Sequence, residues 1–176
     1  MMRFLAAVLS LVLAALPLSA TAQVVLSFHS FDGSVLFGRY PHTFIVMEGT
    51  LDSTGLRVNE NYGYTPVHPM ALLSNRQVKG TIGIEPAKYV TSTNRHFSVP
   101  ISDTQYRAIV AEMVRWRDDP GETYNLDRNN CVHFVARIAS MAGLRVEVPQ
   151  NLVRRPKAWL NLETRLNPQL GAREIR

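Results

Sequence analysis

The sequence of 176 residues contains a single cysteine, Cys131. One cysteine cannot form an intramolecular disulfide, so a disulfide-stabilised scaffold is excluded. No segment after residue 22 is apolar enough to span a membrane, which argues against an integral membrane segment. The chain also lacks nucleic-acid-binding motifs and a basic stripe interleaved with aromatic residues, so we expect no nucleic-acid partner. The basic residues are scattered apart from Arg154, Arg155 and Lys157, a cluster that indicates mild attraction to anionic surfaces such as cell-wall polymers or phospholipid.

The N-terminal residues have the pattern of a secretion signal. A short basic start with Arg3 precedes an apolar run over residues 5–18, and Ser-Ala-Thr-Ala22 follows. The run is shorter than the ~20 residues of a spanning helix, and the small residues suit cleavage after Ala22. We therefore expect a periplasmic or secreted protein with one domain over residues 23–176, whereas a retained, uncleaved anchor is the alternative. Loss of Arg3 lowers the formal net charge from +5 to +4, so the mature chain stays basic.

Periodicity predicts an α+β domain. Residues 42–47 and 56–62 form a predicted hairpin around a Gly-containing turn, and residues 95–101 alternate so that Phe97, Val99 and Ile101 share a buried face. One helix begins at the capping box of Ser102 and Gln105. A second helix has apolar residues spaced by four, three and four, and it ends at Gly143. The other predicted elements are strands over 24–28 and 78–85, a short helix over 69–77, and a segment over 156–162 that packs Trp159 onto the core.

Cys131 is predicted to lie in the first turn of the second helix, because Asn129 or Asn130 before it is a good N-cap. Unpaired backbone N–H groups and the positive end of the helix dipole favour the thiolate there, which lowers the pKa of the sulfur. The same N–H groups can bind the oxyanion that forms on a carbonyl under attack. The placement predicts an activated nucleophile, and a buried, inert thiol is the structural alternative.

A thiol nucleophile needs a base, and His42 is the candidate, because it opens a strand directly after a proline. The partner strand carries Asn59 and Asn61 on one face, and the hairpin returns its far end toward His42. An asparagine there can accept a hydrogen bond from the imidazole and fix its tautomer, so Asn61 is the expected third member of a Cys-His-Asn triad. Asn59 and Glu60 remain rivals, although Glu60 should point to the opposite face.

His133 is the other histidine close to Cys131. It lies two residues further on, about 200° around the axis of a helix with about 3.6 residues per turn. We therefore expect it to face away from the thiol and to bond to the preceding loop. A zinc site of Cys131, His133 and His42 does not match a standard ligand spacing. The sequence predicts neither a metal nor another cofactor.

Around these residues the chain resembles the circularly permuted NlpC-type, papain-like cysteine hydrolase superfamily, which includes the lecithin–retinol acyltransferase-like enzymes. In that superfamily the strand with the histidine precedes the helix with the cysteine, as His42-Thr-Phe-Ile-Val precedes Asn130-Cys131-Val-His-Phe-Val here. Asn61-Tyr-Gly is similar to an Asn-aromatic-Gly sequence of papain-like enzymes. The resemblance spans residues 42–143. It implies a papain-like fold in which a small antiparallel sheet packs against the Cys-bearing helix and one further amphipathic helix.

The resemblance also implies an oxyanion-hole side chain a few residues before the nucleophile. Tyr124 and Asn125 lie at about that distance from Cys131, and either is a candidate donor. The alternative is that they only shape the loop and cap the helix.

Together these features predict a secreted cysteine hydrolase, an amidase or peptidase that cleaves an amide bond of cell-wall peptide through a thioester intermediate. Its partner would be an amide or peptide substrate of the cell envelope. A thiol-dependent lipid acyltransferase or esterase is the alternative, because the Asn-Cys-Val-His-Phe-Val sequence is close to the acyltransferase form. A catalytically silent binding domain of the same fold is a third possibility.

Overall fold

The computed structural model describes residues 23–33, 40–69, 77–121 and 123–176. The predicted secretion signal and most of the predicted helix over 69–77 lie outside the described residues. In the described part of the chain, no helix has both the length and the apolar character needed to cross a bilayer.

The architecture is α+β and is built on a five-stranded antiparallel sheet. In the sheet the strands stand in the order β4-β3-β2-β1-β5. Every predicted strand is present, with its ends displaced by a few residues, and the predicted hairpin joins β2 to β3. The strands are β1 (Val24–Phe31), β2 (His42–Thr50), β3 (Arg57–Pro66), β4 (Gly80–Gly83) and β5 (Asn94–Ile101).

Three of the four described helices complete the core. The helices are α1 (Ala87–Val90), α2 (Asp103–Arg117), α3 (Cys131–Met141) and α4 (Pro156–Leu166). Helix α2 packs on β3 and β4, α3 on β2 and β3, and α4 on β1 and β5. Apolar side chains of these helices form one continuous core with those of the sheet, such as Phe28, Ile45 and Val99. Trp159 of α4 is fully buried, as predicted.

Local capping explains where the helices begin and end. The predicted capping box of Ser102 and Gln105 is present at the start of α2. Gly143 ends α3 with a φ of 85°, a conformation that glycine adopts at little cost. The N–H of Leu144 bonds to the carbonyl of Ala139 at 3.1 Å, which satisfies a carbonyl that the end of the helix leaves free.

One prediction for β5 is only partly correct. Phe97, Val99 and Ile101 are buried as expected. His96, which alternation places on the opposite face, is buried too, with 4% of its surface exposed. The register shifts beside it, because Phe28 pairs with Phe97 whereas His29 pairs with Arg95. The extra residue makes a bulge that turns His96 inward, where its Nε2 lies 2.8 Å from the hydroxyl of Ser30.

Residues 84–93 cover the sheet face opposite the core. They connect β4 to β5, which lie at opposite edges, so they must cross the sheet. The Asn61 side chain bonds to the main chain of Glu85 on the way, and the hydroxyl of Thr93 lies 2.9 Å from Nδ1 of His29. The connection therefore begins by placing the Glu85 main chain beside Asn61, two residues along β3 from Gly63.

Candidate active site

Cys131 and His42 line one cavity of about 500 Å³ at the end of the sheet where β2 begins. Four separate parts of the chain form its walls, so residues distant in sequence meet there. The described lining residues are Phe31 with Tyr40, Pro41 and His42, then Thr65, Pro66 and Pro69 with Gly83, Ile84 and Glu85, then Tyr124, Leu126, Asn130 and Cys131, and finally Val153, Arg154 and Pro156. The structure thus brings together the two residues predicted to act as nucleophile and base.

Cys131 is the first residue of α3, as predicted, and Asn130 is the N-cap. The Asn130 side-chain oxygen accepts hydrogen bonds from the N–H groups of Val132 at 2.8 Å and His133 at 3.4 Å. A second set of bonds anchors the cap, because its Nδ2 donates to the carbonyls of Leu126 and Val153. The position of Cys131 is therefore fixed by a buried asparagine that contacts two different loops.

The protonation of Cys131 differs from the expectation. Burial raises the pKa of the thiol to about 11, although the main-chain N–H groups of Thr43, Val132 and Cys131 itself face the sulfur and oppose the shift. The predicted decrease in the pKa is wrong, because desolvation outweighs the helix N-terminus. A sulfur with this pKa carries its proton near neutral pH, and a thiol requires a base to act as a nucleophile.

The His42 ring lies at an opening between two strands. The pairing of β2 with β3 runs only as far as Ile45 and Tyr62, so His42 lies beyond the last paired residues. A Cβ on Gly63 would stand 2.5 Å from Nε2 of His42, which means that the ring covers the glycine. The aromatic rings of Phe31 and Phe44 lie 5.7 and 6.5 Å away, centre to centre. Gly63 thus makes room for the imidazole, and a glycine inside a strand is a sign of such a close approach.

Asn61 does not orient His42, contrary to expectation. It lies two residues along β3 from Gly63, the residue that the His42 ring covers, or about 7 Å at about 3.3 Å per residue. Its Nδ2 donates to the carbonyl of Glu85 at 3.0 Å, and its Oδ1 accepts from the N–H of Glu85 at 2.6 Å. The structure corrects its role, since both ends of this side chain hold the segment that carries Glu85.

The two rivals of Asn61 also lie away from the cavity. The carboxylate of Glu60 accepts hydrogen bonds from the hydroxyls of Tyr62 at 3.0 Å and Tyr106 at 3.2 Å, on the side facing α2. This confirms that it points away from the asparagines. Asn59 is exposed and pairs with Glu48. The acidic residue that does line the cavity is Glu85; the sequence analysis missed it because it belongs to no periodic element.

Tyr124 is the oxyanion candidate that lies beside Cys131. It is buried, lines the cavity and forms a two-bond bridge with Val78. The N–H of Cys131 faces its hydroxyl oxygen. Burial, and then the nearby Cys131 sulfur, raise the pKa of Tyr124, so its hydroxyl keeps its proton and can donate. Of the two candidates, the structure brings this one to the nucleophile.

Asn125 has the alternative, structural role. Its side-chain oxygen accepts hydrogen bonds from the N–H groups of Asp127 at 2.9 Å and Arg128 at 3.1 Å, and it thereby closes the turn before α3.

Nδ1 of His133 accepts from the N–H of Asn130 at 3.3 Å, which confirms the expected bond to the preceding segment. Burial lowers the pKa of His133. Among the residues described, no three His, Cys, Asp or Glu side chains are grouped closely enough to hold a metal ion.

Comparison with protein-family models, with curated proteins and with solved structures gave no significant match. The functional argument therefore depends on the geometry of this cavity.

Proposed function

We propose that the protein is a secreted or periplasmic cysteine hydrolase of the permuted, papain-like type that cleaves an amide bond of the cell envelope. One observation carries the proposal. Cys131, at the start of α3, shares a cavity with His42, and its own N–H faces both the sulfur and the Tyr124 hydroxyl oxygen.

The raised pKa of Cys131 determines how the reaction starts. Since the resting sulfur is a thiol, His42 takes its proton as the sulfur attacks the substrate carbonyl. The oxyanion that forms accepts hydrogen bonds from the N–H of Cys131 and the hydroxyl of Tyr124. When the C–N bond breaks, the imidazolium of His42 returns the proton to the leaving amine. Water, deprotonated by His42, then hydrolyses the thioester and restores the thiol.

Glu85 replaces Asn61 as the proposed orienting residue of His42. Gly63, which the imidazole covers, pairs with Gly83, and Glu85 follows two residues later. The two bonds from Asn61 hold the Glu85 main chain in a fixed place beside the cavity. A carboxylate there can accept a hydrogen bond from the imidazole and stabilise the imidazolium that forms during attack.

A second candidate function is hydrolysis or transfer of a lipid acyl group. The observation in its favour is the cavity lining, which is mostly apolar. The chemistry at the sulfur is the same, and only the acyl donor and acceptor differ. Apolar lining residues include Phe31, Tyr40, Pro66, Ile84, Leu126 and Val153.

The experiment that tests the proposal is mass spectrometry of the purified protein after incubation with peptidoglycan fragments and, separately, with phospholipid vesicles. We expect an acyl group on Cys131 and release of an amine from the fragments. His42→Ala should abolish both, whereas His68→Ala, which changes an exposed histidine, should not. Fatty acid release alone would favour the lipid function. If no acyl-enzyme forms and Cys131→Ala releases the same products as the wild type, the protein is a catalytically silent binding domain.

A further inference from the structure

A second cavity, of about 400 Å³, adjoins the one that holds Cys131. Pro41, Arg154 and Pro156 line both cavities, so they form a shared rim between the two. A ligand that occupies the first cavity can therefore extend across this rim into the second.

The lining of the second cavity is basic. Arg154, Arg155 and Lys157 line it together with one acid, Asp32. Arg154 pairs with Asp127 at 2.6 Å, and Lys157 pairs with Asp32 at 3.1 Å. Arg155 adds a third positive charge on an exposed side chain, so three positive charges face two negative ones.

Arg155 and Lys157 are the cations that a ligand can engage. The side chain of Asp32, the partner of Lys157, is 66% exposed, and an exposed pair of this kind contributes little to stability. An incoming phosphate or carboxylate can exchange with Asp32 on Lys157. It can also receive charge-assisted hydrogen bonds from the planar guanidinium of Arg155.

We propose that the two cavities bind one amphiphilic acyl substrate, whose apolar acyl group lies beside Cys131 and whose anionic group lies against Arg155 and Lys157. The inference rests on the proposed cysteine chemistry and names a substrate class for the same site, one that the lipid acyl candidate fits better than a cell-wall peptide. It gives a role to the basic cluster, which the catalytic chemistry leaves without one. The apolar lining of the first cavity selects the acyl group, and the charge of the second selects the anion.

The test is isothermal titration calorimetry of the purified protein with four probes. Octyl phosphate and octanoate carry both a tail and an anion, octyl glucoside carries the tail alone, and inorganic phosphate carries the anion alone. We expect one or both of the first two to bind at least tenfold more tightly than each of the last two. The tighter of the two identifies the anion as phosphate or carboxylate.

Variants locate the binding. Arg155→Gln and Lys157→Gln should each weaken binding of the anionic amphiphile about fivefold to tenfold. Neither should change the affinity for octyl glucoside. Arg173→Gln, which removes an exposed arginine outside both cavities, is the matched control and should change nothing. Equal affinity for octyl phosphate, octanoate and octyl glucoside, or tight binding of inorganic phosphate alone, would overturn the inference.

The same titrations with Cys131→Ala separate this inference from the proposed function. That variant cannot form a thioester, yet it should bind the anionic amphiphile as the wild type does. If the wild-type protein shows the binding pattern but never forms an acyl-enzyme, the catalytic proposal fails and the ligand class stands. If the wild-type protein forms an acyl-enzyme but binds all four probes with equal affinity, the ligand class fails and the catalytic proposal stands.

Discussion

Gly63→Ala is the substitution that most directly tests whether the position of the His42 ring matters. The new Cβ would stand 2.5 Å from Nε2 of His42 and 3.1 Å from Cβ of Phe44. Non-bonded atoms prefer separations of about 3.5–4.0 Å, so the ring must move by about 1 Å. A displacement of about 1 Å in a catalytic group can lower the rate about 100-fold, and we expect a loss of that order in kcat/KM.

The cost in stability should be much smaller than the loss of activity suggests. Forcing an extra methyl group into a packed site costs about 1–3 kcal/mol. Replacing glycine by alanine also restricts the unfolded chain, which returns about 0.4–1 kcal/mol. We therefore expect the free energy of unfolding to fall by roughly 1–2 kcal/mol, so that the variant remains folded at room temperature.

The assay is hydrolysis of p-nitrophenyl butyrate, with Cys131→Ala as the blank and urea denaturation for stability. In the His42→Ala background, Gly63→Ala should cause no further loss, because the ring it displaces is gone. Gly121→Ala is the matched control; its Cβ would meet Thr123 at 3.1 Å, away from the cavity. If Gly63→Ala lowers kcat/KM by the same factor with and without His42, it does not act through the imidazole and the reasoning fails.

Four further outcomes follow from the structure. Tyr124→Phe should lower kcat about 100-fold with little change in KM, because one oxyanion donor is lost; steady-state kinetics measure both. Alkylation of Cys131 by iodoacetamide in His42→Ala should be slow near neutral pH and should rise as the pH approaches the thiol pKa of about 11; a plateau reached below pH 9 would contradict the desolvation argument. Burial raises the pKa of Glu163 to about 7, so between pH 4.5 and 7 the folded state holds a proton on this carboxyl that the unfolded state has lost. The free energy of unfolding should therefore fall by about 3 kcal/mol at most as the pH rises from 4.5 to 7. Urea titrations should show that Glu163→Gln lacks this decrease. Burial lowers the pKa of His29 to about 4, so its contribution to stability should be present above pH 6.5 and lost as the pH falls toward 4; His29→Gln should lose less stability than the wild type over that range in the same titrations.

The strands and helices α2 and α3 follow from local sequence signals, whereas α1 is not predicted and α4 is predicted only as a segment that packs Trp159 onto the core. The strands are visible as β-branched or alternating runs, and the helix ends are visible as Ser102 with Gln105, Asn130 and Gly143. Each of these signals depends on a few neighbouring residues, so it can be recognised without knowledge of the tertiary structure. The same holds for the placement of Cys131, because an N-cap and a first turn are adjacent in sequence.

The errors concern contacts between distant parts of the chain. Asn61 lies on the expected face, but its partner is Glu85, 24 residues away in a connection without periodicity. The pKa of Cys131 depends on walls that come from other loops, and their desolvation exceeds the local effect of the helix. The bulge at His96 depends on the register with β1, which alternation within one strand does not reveal. Pairing and burial decide these properties, and neither is contained in a short window of sequence.

The four-part wall of the cavity has a consequence for how activity appears during folding. Its contributing segments span from Phe31 to Pro156, so the cavity is complete only after the longest loops of the chain have closed. Contacts of large sequence separation form slowly, whereas helices such as α2 form from local contacts. A refolding chain should therefore regain its helical signal before its reactivity at Cys131. A chain truncated before residue 153 should be partly ordered and should not be able to enclose a substrate.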